Sequence, residues 1–116
     1  MSNTVEQLLQ NGLKAHKLGL AAVASRFYSA ILETHPLQSE ANYNMGLLAV
    51  SSGKVQAGLE FFETALESNA DNAFCWVNYI DALLKLGRLL DAQSVLDQAK
   101  INGARGEGFD GLEARL

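Results

Sequence analysis

The sequence predicts an all-α fold, a solenoid of three helix–turn–helix repeats followed by a short C-terminal helix. Two observations predict it. The chain matches itself when the copy that begins at position 5 is laid on those that begin at positions 39 and 73, and the apolar residues of each copy recur at helical spacing. Pro36 is the only proline, so long helices are permitted almost everywhere else. We expect one domain over residues 1–116, with repeats at 5–38, 39–72 and 73–106.

A glycine divides each repeat into two helices. Gly19, Gly53 and Gly87 fall at the same place in the three copies. Glycine readily adopts the left-handed conformation that ends many helices, so each of these residues predicts a turn. The predicted helices cover residues 4–17, 21–33, 39–51, 55–68, 73–85 and 89–101.

Small and large apolar residues also recur at fixed places. Gly12 and Gly46 share one place in the first helix of a repeat, where they allow two helix backbones to approach closely. Tyr28 and Phe62 share a place in the second helix and are expected to fill the space between one helix pair and the next. Ile80 takes the glycine place in the third repeat and predicts a wider helix contact there.

Residues 107–116 are predicted to form a short amphipathic helix through Phe109, Leu112 and Leu116. Two interpretations stay open, a short capping helix over the last repeat or a truncated next element. A helix of this length is marginal. We therefore expect the apolar end surface to stay partly uncovered, and we predict a weak homodimer. The residues of that end surface are Tyr79, Leu83 and Leu96.

Composition and charge exclude several classes of function. The net charge is -4 and the nine lysines and arginines form no basic stripe, so nucleic acid is not an expected partner. No apolar run approaches the ~20 residues that cross a bilayer, and residues 1–10 do not resemble a signal peptide. A single cysteine, Cys75, excludes an internal disulfide and fits a reducing compartment. We expect a cytoplasmic protein with no membrane association.

The sequence predicts neither an enzyme nor a cofactor or metal site. His16 lies on a helix, His35 precedes Pro36 in a turn, and neither has metal-ligand spacing to Cys75. No predicted strand precedes any glycine, so no phosphate-binding loop is expected. Cys75 is interpreted as a small packing residue, and the histidines as surface residues.

The repeats resemble the tetratricopeptide repeat family. The residues that carry the resemblance are Gly12, Ala15, Gly19, Ala24, Tyr28 and Pro36 in the first repeat, Met45, Gly46, Ala57, Gly58, Phe62 and Ala65 in the second, and Trp76, Gly87, Ala92, Leu96 and Ala99 in the third. It implies a right-handed superhelix whose first helices line a concave groove for an extended peptide. Asn11, Ile80, Ala70 and Ala104 depart from the family pattern.

The same resemblance implies which side chains face the groove. The main set is Leu9, Gln10, Leu13, Tyr43, Asn44, Leu47, Val50, Phe74, Val77, Asn78, Asp81 and Leu84. The polar positions Glu6, His16, Lys17, Glu40, Ser51 and Lys85 complete it. Such an apolar surface is larger than monomers usually leave bare, which favours a protein or peptide partner.

Gln10, Asn44 and Asn78 stand at the same place in the three repeats and form a row of carboxamides. A carboxamide both donates and accepts, so the row could hold a peptide backbone. It resembles the asparagine ladder of O-linked N-acetylglucosamine transferases. The alternative is that these amides are solvated or bond to their own helices.

The resemblance also allows a second binding mode to be examined, a clamp of cationic and amide side chains for a terminal carboxylate. The corresponding positions are Leu9, Leu13, Asn44, Phe74 and Asn78, and only Asn44 fits. That clamp is not expected. The predicted function is a non-catalytic scaffold for protein–protein interaction. The alternative is a substrate-recruiting arm of a larger enzyme such as a glycosyltransferase, sulfotransferase or methyltransferase.

Overall fold

Seven helices follow one another in the computed structural model, which describes residues 4–116 apart from the side chain of Glu107. They are α1 (Val5–Lys17), α2 (Ala21–Thr34), α3 (Ser39–Ser51), α4 (Val55–Ser68), α5 (Ala73–Lys85), α6 (Leu89–Ile101) and α7 (Glu107–Arg115). No residue from 4 to 116 lies in a strand. The all-α prediction is confirmed, and the bounds of the six predicted helices agree within one residue.

The first helix of every repeat is capped by the side chain of the residue before it. The Thr4 hydroxyl accepts from the Gln7 N–H at 3.1 Å, and the Gln7 amide oxygen accepts from the Thr4 N–H at 3.0 Å. Gln38 and Asn72 lie one and two repeats later, and their side chains accept from the third residue of α3 and of α5. Each cap satisfies an N–H that the helix itself leaves unpaired, which fixes where the helix begins.

The second helices α2, α4 and α6 begin after a glycine turn instead. Gly19, Gly53 and Gly87 have φ angles of 78°, 85° and 73°, in the left-handed region that favours glycine. The residue after the glycine then bonds back to the first helix, as the Lys54 N–H does to the Ala49 carbonyl at 2.8 Å. These turns are the ones that the sequence predicts.

An aromatic ring packs directly against a glycine backbone in the first two repeats. Tyr28 and Phe62 are fully buried. A Cβ atom added to Gly12 would lie 2.6 Å from Tyr28 Cε1, and one added to Gly46 would lie 2.4 Å from Phe62 Cε1. Both distances are too short for a real Cβ atom, so each aromatic ring requires a glycine at the position against which it packs.

The third repeat fills the same place differently. Ile80 stands where Gly12 and Gly46 stand, and Leu96 replaces the aromatic residue. Both are buried in one apolar cluster. A larger residue on the first helix is therefore matched by a smaller one on the second, which explains why the helix pair forms without the glycine.

A repeated hydrogen bond joins each loop between repeats to the helix that follows. Asn42 donates its amide to the Pro36 carbonyl at 3.0 Å, and the Trp76 indole N–H donates to the Ala70 carbonyl at 2.8 Å. The two donors stand at the same place in successive repeats, and so do the two acceptors. Two different side chains thus make the same connection.

The buried apolar residues separate into two clusters. The first contains Tyr28, Ile31 and their neighbours in the first repeat, together with Ala41 at the start of α3. The second extends from Leu59 in α4 to Leu112 in α7. The stack measures 48 × 26 × 22 Å, so the core is a row of inter-helix contacts and not a single centre.

The helix α7 takes the place that the first helix of a further repeat would have. It begins one repeat after the start of α5, and its side chains Phe109 and Leu112 are buried in the second cluster. Leu83 and Leu96 are only 1% and 5% exposed. The expectation of a partly uncovered apolar surface around these two residues is therefore wrong, because α7 packs over it.

The end of the stack is also polar where the preceding repeat is apolar. Leu59 and Leu66 of α4 are buried, whereas Gln93 and Lys100 stand at the same places in α6 and are exposed. Lys100 forms an ion pair with Glu113 of α7. Two of the three residues of the predicted end surface are therefore covered, whereas the third, Tyr79, is half-buried, and the weak homodimer stays a prediction.

A second ion pair attaches α7 to α5. Arg115 donates to Asp81 at 2.9 Å, and Lys85 lies 3.2 Å from the same carboxylate. Burial alone would raise the pKa of Asp81. The hydrogen bonds from Arg115 and Lys85 outweigh that effect and hold its pKa below the ordinary value of 3.8.

Replacing Asp81 with asparagine should lower the free energy of unfolding by about 0.5–1 kcal/mol, because the pair is partly exposed to solvent. A lowered pKa in the folded state means that this contribution is present above pH ~4 and is lost as the pH falls through the folded pKa. Urea unfolding at pH 7 and pH 3 measures it. The deficit of Asp81→Asn should be smaller at the lower pH, and a deficit of equal size at both values contradicts the assignment. Asp97→Asn, on an exposed part of α6, is the matched control.

Candidate functional site

Two depressions lie between neighbouring first helices. The first depression separates α1 from α3, has a volume of about 570 Å³, and is lined by Val5, Glu6, Leu9, Gln10, Leu13, Gln38 and Glu40. The second depression separates α3 from α5, has a volume of about 430 Å³, and is lined by Leu47, Val50, Ser51, Phe62, Asn78, Asp81 and Lys85. They follow one another along the stack and together form the candidate site.

Seven of the twelve predicted groove residues line these depressions. The other five, which line neither of them, are Tyr43, Asn44, Phe74, Val77 and Leu84. Leu9 and Asn44 are only 9% and 7% exposed, so they belong mainly to the interior and offer a ligand little surface. Phe74 is 74% exposed and offers a large apolar surface at the start of α5.

The two depressions differ in charge. Glu6 and Glu40 stand at the rim of the first, and within residues 4–106 and 108–116 neither carboxylate has a cationic side chain in ion-pair distance. In the second, Asp81 is paired with Lys85 and with Arg115. Among the described residues, the first depression therefore carries two carboxylates without an ion pair, whereas in the second the single carboxylate of Asp81 is shared by two cations, so that network has a surplus of positive charge.

Two of the three carboxamides of the predicted row, those of Asn44 and Asn78, are held by their own helices. The Asn44 amide nitrogen donates to the Glu40 carbonyl at 2.8 Å, and the Asn78 amide nitrogen donates to the Phe74 carbonyl at 2.8 Å. Each partner lies four residues earlier, so the repeated asparagine makes one repeated local bond. For these two asparagines, the structure favours the alternative that the side-chain amides bond to their own helices. Their side-chain carbonyl oxygens are the groups that remain to accept a hydrogen bond from a ligand.

Tyr43 joins α3 to α5 through contacts that the sequence pattern does not reveal. Its hydroxyl accepts from the Asn78 amide at 3.2 Å, and its ring centroid lies 6.1 Å from that of Phe62. Burial, with a smaller contribution from Cys75, raises the pKa of Tyr43. The corresponding residues Leu9 and Val77 carry no hydroxyl, so no repetition pointed to this cross-helix bond.

The histidines and the cysteine each have a separate structural contact. His16 Nδ1 lies 3.3 Å from the Tyr28 hydroxyl, and His35 Nδ1 lies 2.8 Å from the hydroxyl of the adjacent threonine. Cys75 is fully buried, its thiol donates to the Phe62 carbonyl at 3.7 Å, and burial raises the pKa of this thiol to about 12. Among residues 4–116, apart from the Glu107 side chain, no three histidine, cysteine or acidic side chains are grouped as metal ligands. Within that range no helix is long and apolar enough to span a bilayer.

Comparisons with known proteins agree with this architecture. Two sequence profiles, both described as tetratricopeptide repeat, match residues 9–73 and 49–116. A search of curated proteins gave no match.

The structure is similar to three solved structures. The Arabidopsis OM64 TPR domain has a TM-score of 0.84 at 16% identity, over 96% of this chain and 92% of that one. The Sgt2 TPR domain from Aspergillus fumigatus has a TM-score of 0.83 at 16% identity, over 97% and 77%. A MamA mutant has a TM-score of 0.74 at 15% identity, over 87% and 74%. At these identities the similarity extends to the fold.

Proposed function

Because this chain belongs to the tetratricopeptide repeat family, whose domains are generally protein-interaction scaffolds, we propose that it binds an extended segment of a partner protein across α1, α3 and α5. The observation that supports this most directly is the succession of two depressions between these helices. A peptide that crosses them would place one apolar side chain in each, since Leu13 and Leu47 provide apolar surface in the first and second.

The charges of the two depressions indicate how the peptide would be oriented along the stack. Glu6 and Glu40 favour a lysine or arginine beside the apolar residue that enters the first depression. The second depression disfavours a basic residue, because Lys85 and Arg115 share the one carboxylate of Asp81 and leave a surplus of positive charge there. The preferred ligand is therefore an extended peptide with a basic end at α1 and an apolar residue between α3 and α5.

Leu13→Gln and Leu47→Glu should each weaken binding of peptides selected on the native chain by at least about tenfold, because the first replaces apolar surface with an amide and the second puts a charge in an apolar depression. Leu90→Glu is the matched control, since Leu90 is 82% exposed on α6 and lines neither depression. Peptides chosen from a random library would be measured by calorimetry. If Leu90→Glu were as harmful as the two groove variants, the peptide site would lie elsewhere.

Asn78→Ala should weaken the same peptides by about 0.5–1.5 kcal/mol, the net contribution of a typical hydrogen bond. We expect similar losses for peptides of different sequence, since the carbonyl of Asn78 would accept from backbone N–H groups. Gln10→Ala, on an exposed part of α1, tests whether the row extends that far. Native affinity in both variants would show that the carboxamide row takes no part in recognition. It would also weaken the alternative of a substrate-recruiting arm of a larger enzyme, which this row favours.

A further inference from the structure

A separate crevice opens between α4, α5 and α6, at the junction of the second and third repeats. It has a volume of about 370 Å³ and shares no lining residue with the two depressions. Leu66, Trp76 and Val95 give it an apolar floor. The bond from the Trp76 indole to the Ala70 carbonyl holds the ring in place, so the floor is built by the stacking of the repeats.

One wall of the crevice is acidic. Glu63 and Glu67 lie one turn apart on α4 and both line it. The Tyr79 hydroxyl donates to Glu63 Oε1 at 2.7 Å, which orients that carboxylate and leaves its second oxygen available. Neither glutamate has a cationic side chain in ion-pair distance within residues 4–106 and 108–116.

The opposite wall is formed by carboxamides. Gln98 and Asn102 line it from α6, and the Asn102 amide nitrogen already donates to the Gln98 backbone carbonyl at 2.8 Å. A side chain amide of this kind still offers its carbonyl oxygen as an acceptor. The crevice thus has acceptors on both walls above an apolar floor.

We propose that this crevice binds an arginine side chain of a partner protein, at a site distinct from the peptide groove. The methylene stem would lie on the half-buried Val95, above the buried Leu66 and Trp76, and the guanidinium would reach Glu63 and Glu67. Arginine suits this arrangement better than lysine, because its planar fork carries five donors that can serve two carboxylates at once. It can also stack on an aromatic ring, which the half-buried Tyr79 supplies.

The lining of the crevice differs from the residues at the corresponding positions one repeat earlier. One repeat earlier, Ser29 replaces Glu63, and Asn42 and Met45 replace Trp76 and Tyr79. The earlier junction therefore has neither the pair of acidic groups on the second helix nor the aromatic rings. A feature common to all the repeats would have given the earlier junction an acidic pair and aromatic rings as well.

The test uses the whole chain labelled with ¹⁵N and the capped tetrapeptide Ac-Gly-Arg-Leu-Gly-NH2. The chain has one tryptophan, so the Trp76 indole N–H reports directly on the crevice. We expect its resonance to shift with saturation. The same peptide with citrulline in place of arginine should bind at least about tenfold more weakly, because citrulline has the shape of arginine without its charge. The lysine peptide should lie between them.

The double variant Glu63→Gln/Glu67→Gln should lose at least about tenfold in affinity for the arginine peptide. The double variant Glu33→Gln/Glu60→Gln removes the same net charge from exposed sites outside the crevice and should bind as the native chain does. Leu47→Glu, which disables the proposed peptide groove, should also leave this shift unchanged, so the two proposals can fail separately.

Three results would overturn the proposal. One is equal affinity for the arginine and citrulline peptides. Another is equal loss in the two double variants, which would mean that only net charge matters. The third is a concentration-dependent sedimentation coefficient that Glu63→Gln/Glu67→Gln abolishes, since a second copy of the chain would then be the occupant.

Discussion

Phe62→Ala should lower the free energy of unfolding by about 3–5 kcal/mol, the range for removing a buried aromatic ring from a packed core. Phe62 is fully buried, lies against Gly46, and contacts the ring of Tyr43. Its loss would leave a cavity at the centre of the stack, and the glycine has no side chain that could move into it. Urea unfolding followed by circular dichroism gives the difference.

Phe74→Ala is the matched control for this measurement. The same substitution at a ring that is 74% exposed should change the free energy of unfolding by less than about 0.5 kcal/mol. A cost below about 1 kcal/mol for Phe62→Ala would mean that the packing face of α4 is wrongly assigned.

Gly46→Ile should destabilise the chain by about 2–3 kcal/mol or more, because even its Cβ would meet the ring of Phe62 at 2.4 Å. Adding Phe62→Leu should recover much of that loss. The third repeat contains this combination, Ile80 on the first helix and Leu96 on the second, and buries both. We expect a coupling energy of about 1–3 kcal/mol in the double-mutant cycle.

The same double-mutant cycle can be measured independently in the first repeat. Gly12 and Tyr28 repeat the arrangement, with a Cβ distance of 2.6 Å, so Gly12→Ile with Tyr28→Leu should show coupling of the same sign. If the effects of Gly46→Ile and Phe62→Leu on the free energy of unfolding were simply additive, the two positions would not be energetically coupled. The presence of Ile80 at the glycine position of the third repeat would then need another explanation.

The fold could be predicted from the sequence because its determinants are local and repeated. Gly19, Gly53 and Gly87 mark the turns, and the apolar spacing on either side fixes the helices to within one residue. The packing of the C-terminal segment was harder to predict. Whether Phe109 and Leu112 cover the last repeat depends on contacts with α5 and α6, which no periodicity in the segment itself records.

The sequence predicted groove positions, and the structure shows which of them border a depression. Leu13, Leu47 and Asn78 each line one of the two depressions, and whether a ligand binds there stays a prediction. The register could not show that Asn44 is buried and that its amide is used by its own helix, because both depend on how tightly α3 packs between its neighbours. The crevice at Trp76 was not predicted, because it also depends on contacts between helices. Its lining combines side chains of three helices, and Glu63, Trp76 and Tyr79 do not recur one repeat earlier, whereas a repeat pattern reveals only features that recur.

The separation of the core into two clusters has a consequence for energetic coupling along the chain. The first repeat has its own apolar cluster, so it can open transiently while the rest of the stack stays closed. The first depression spans the boundary, since α1 supplies one side and α3 the other. A peptide bound across both depressions would be expelled by that opening, and the first repeat would gain stability by mass action as the ligand concentration rises. Slowed hydrogen exchange at α2, which the peptide need not touch, would be the signature of this linkage.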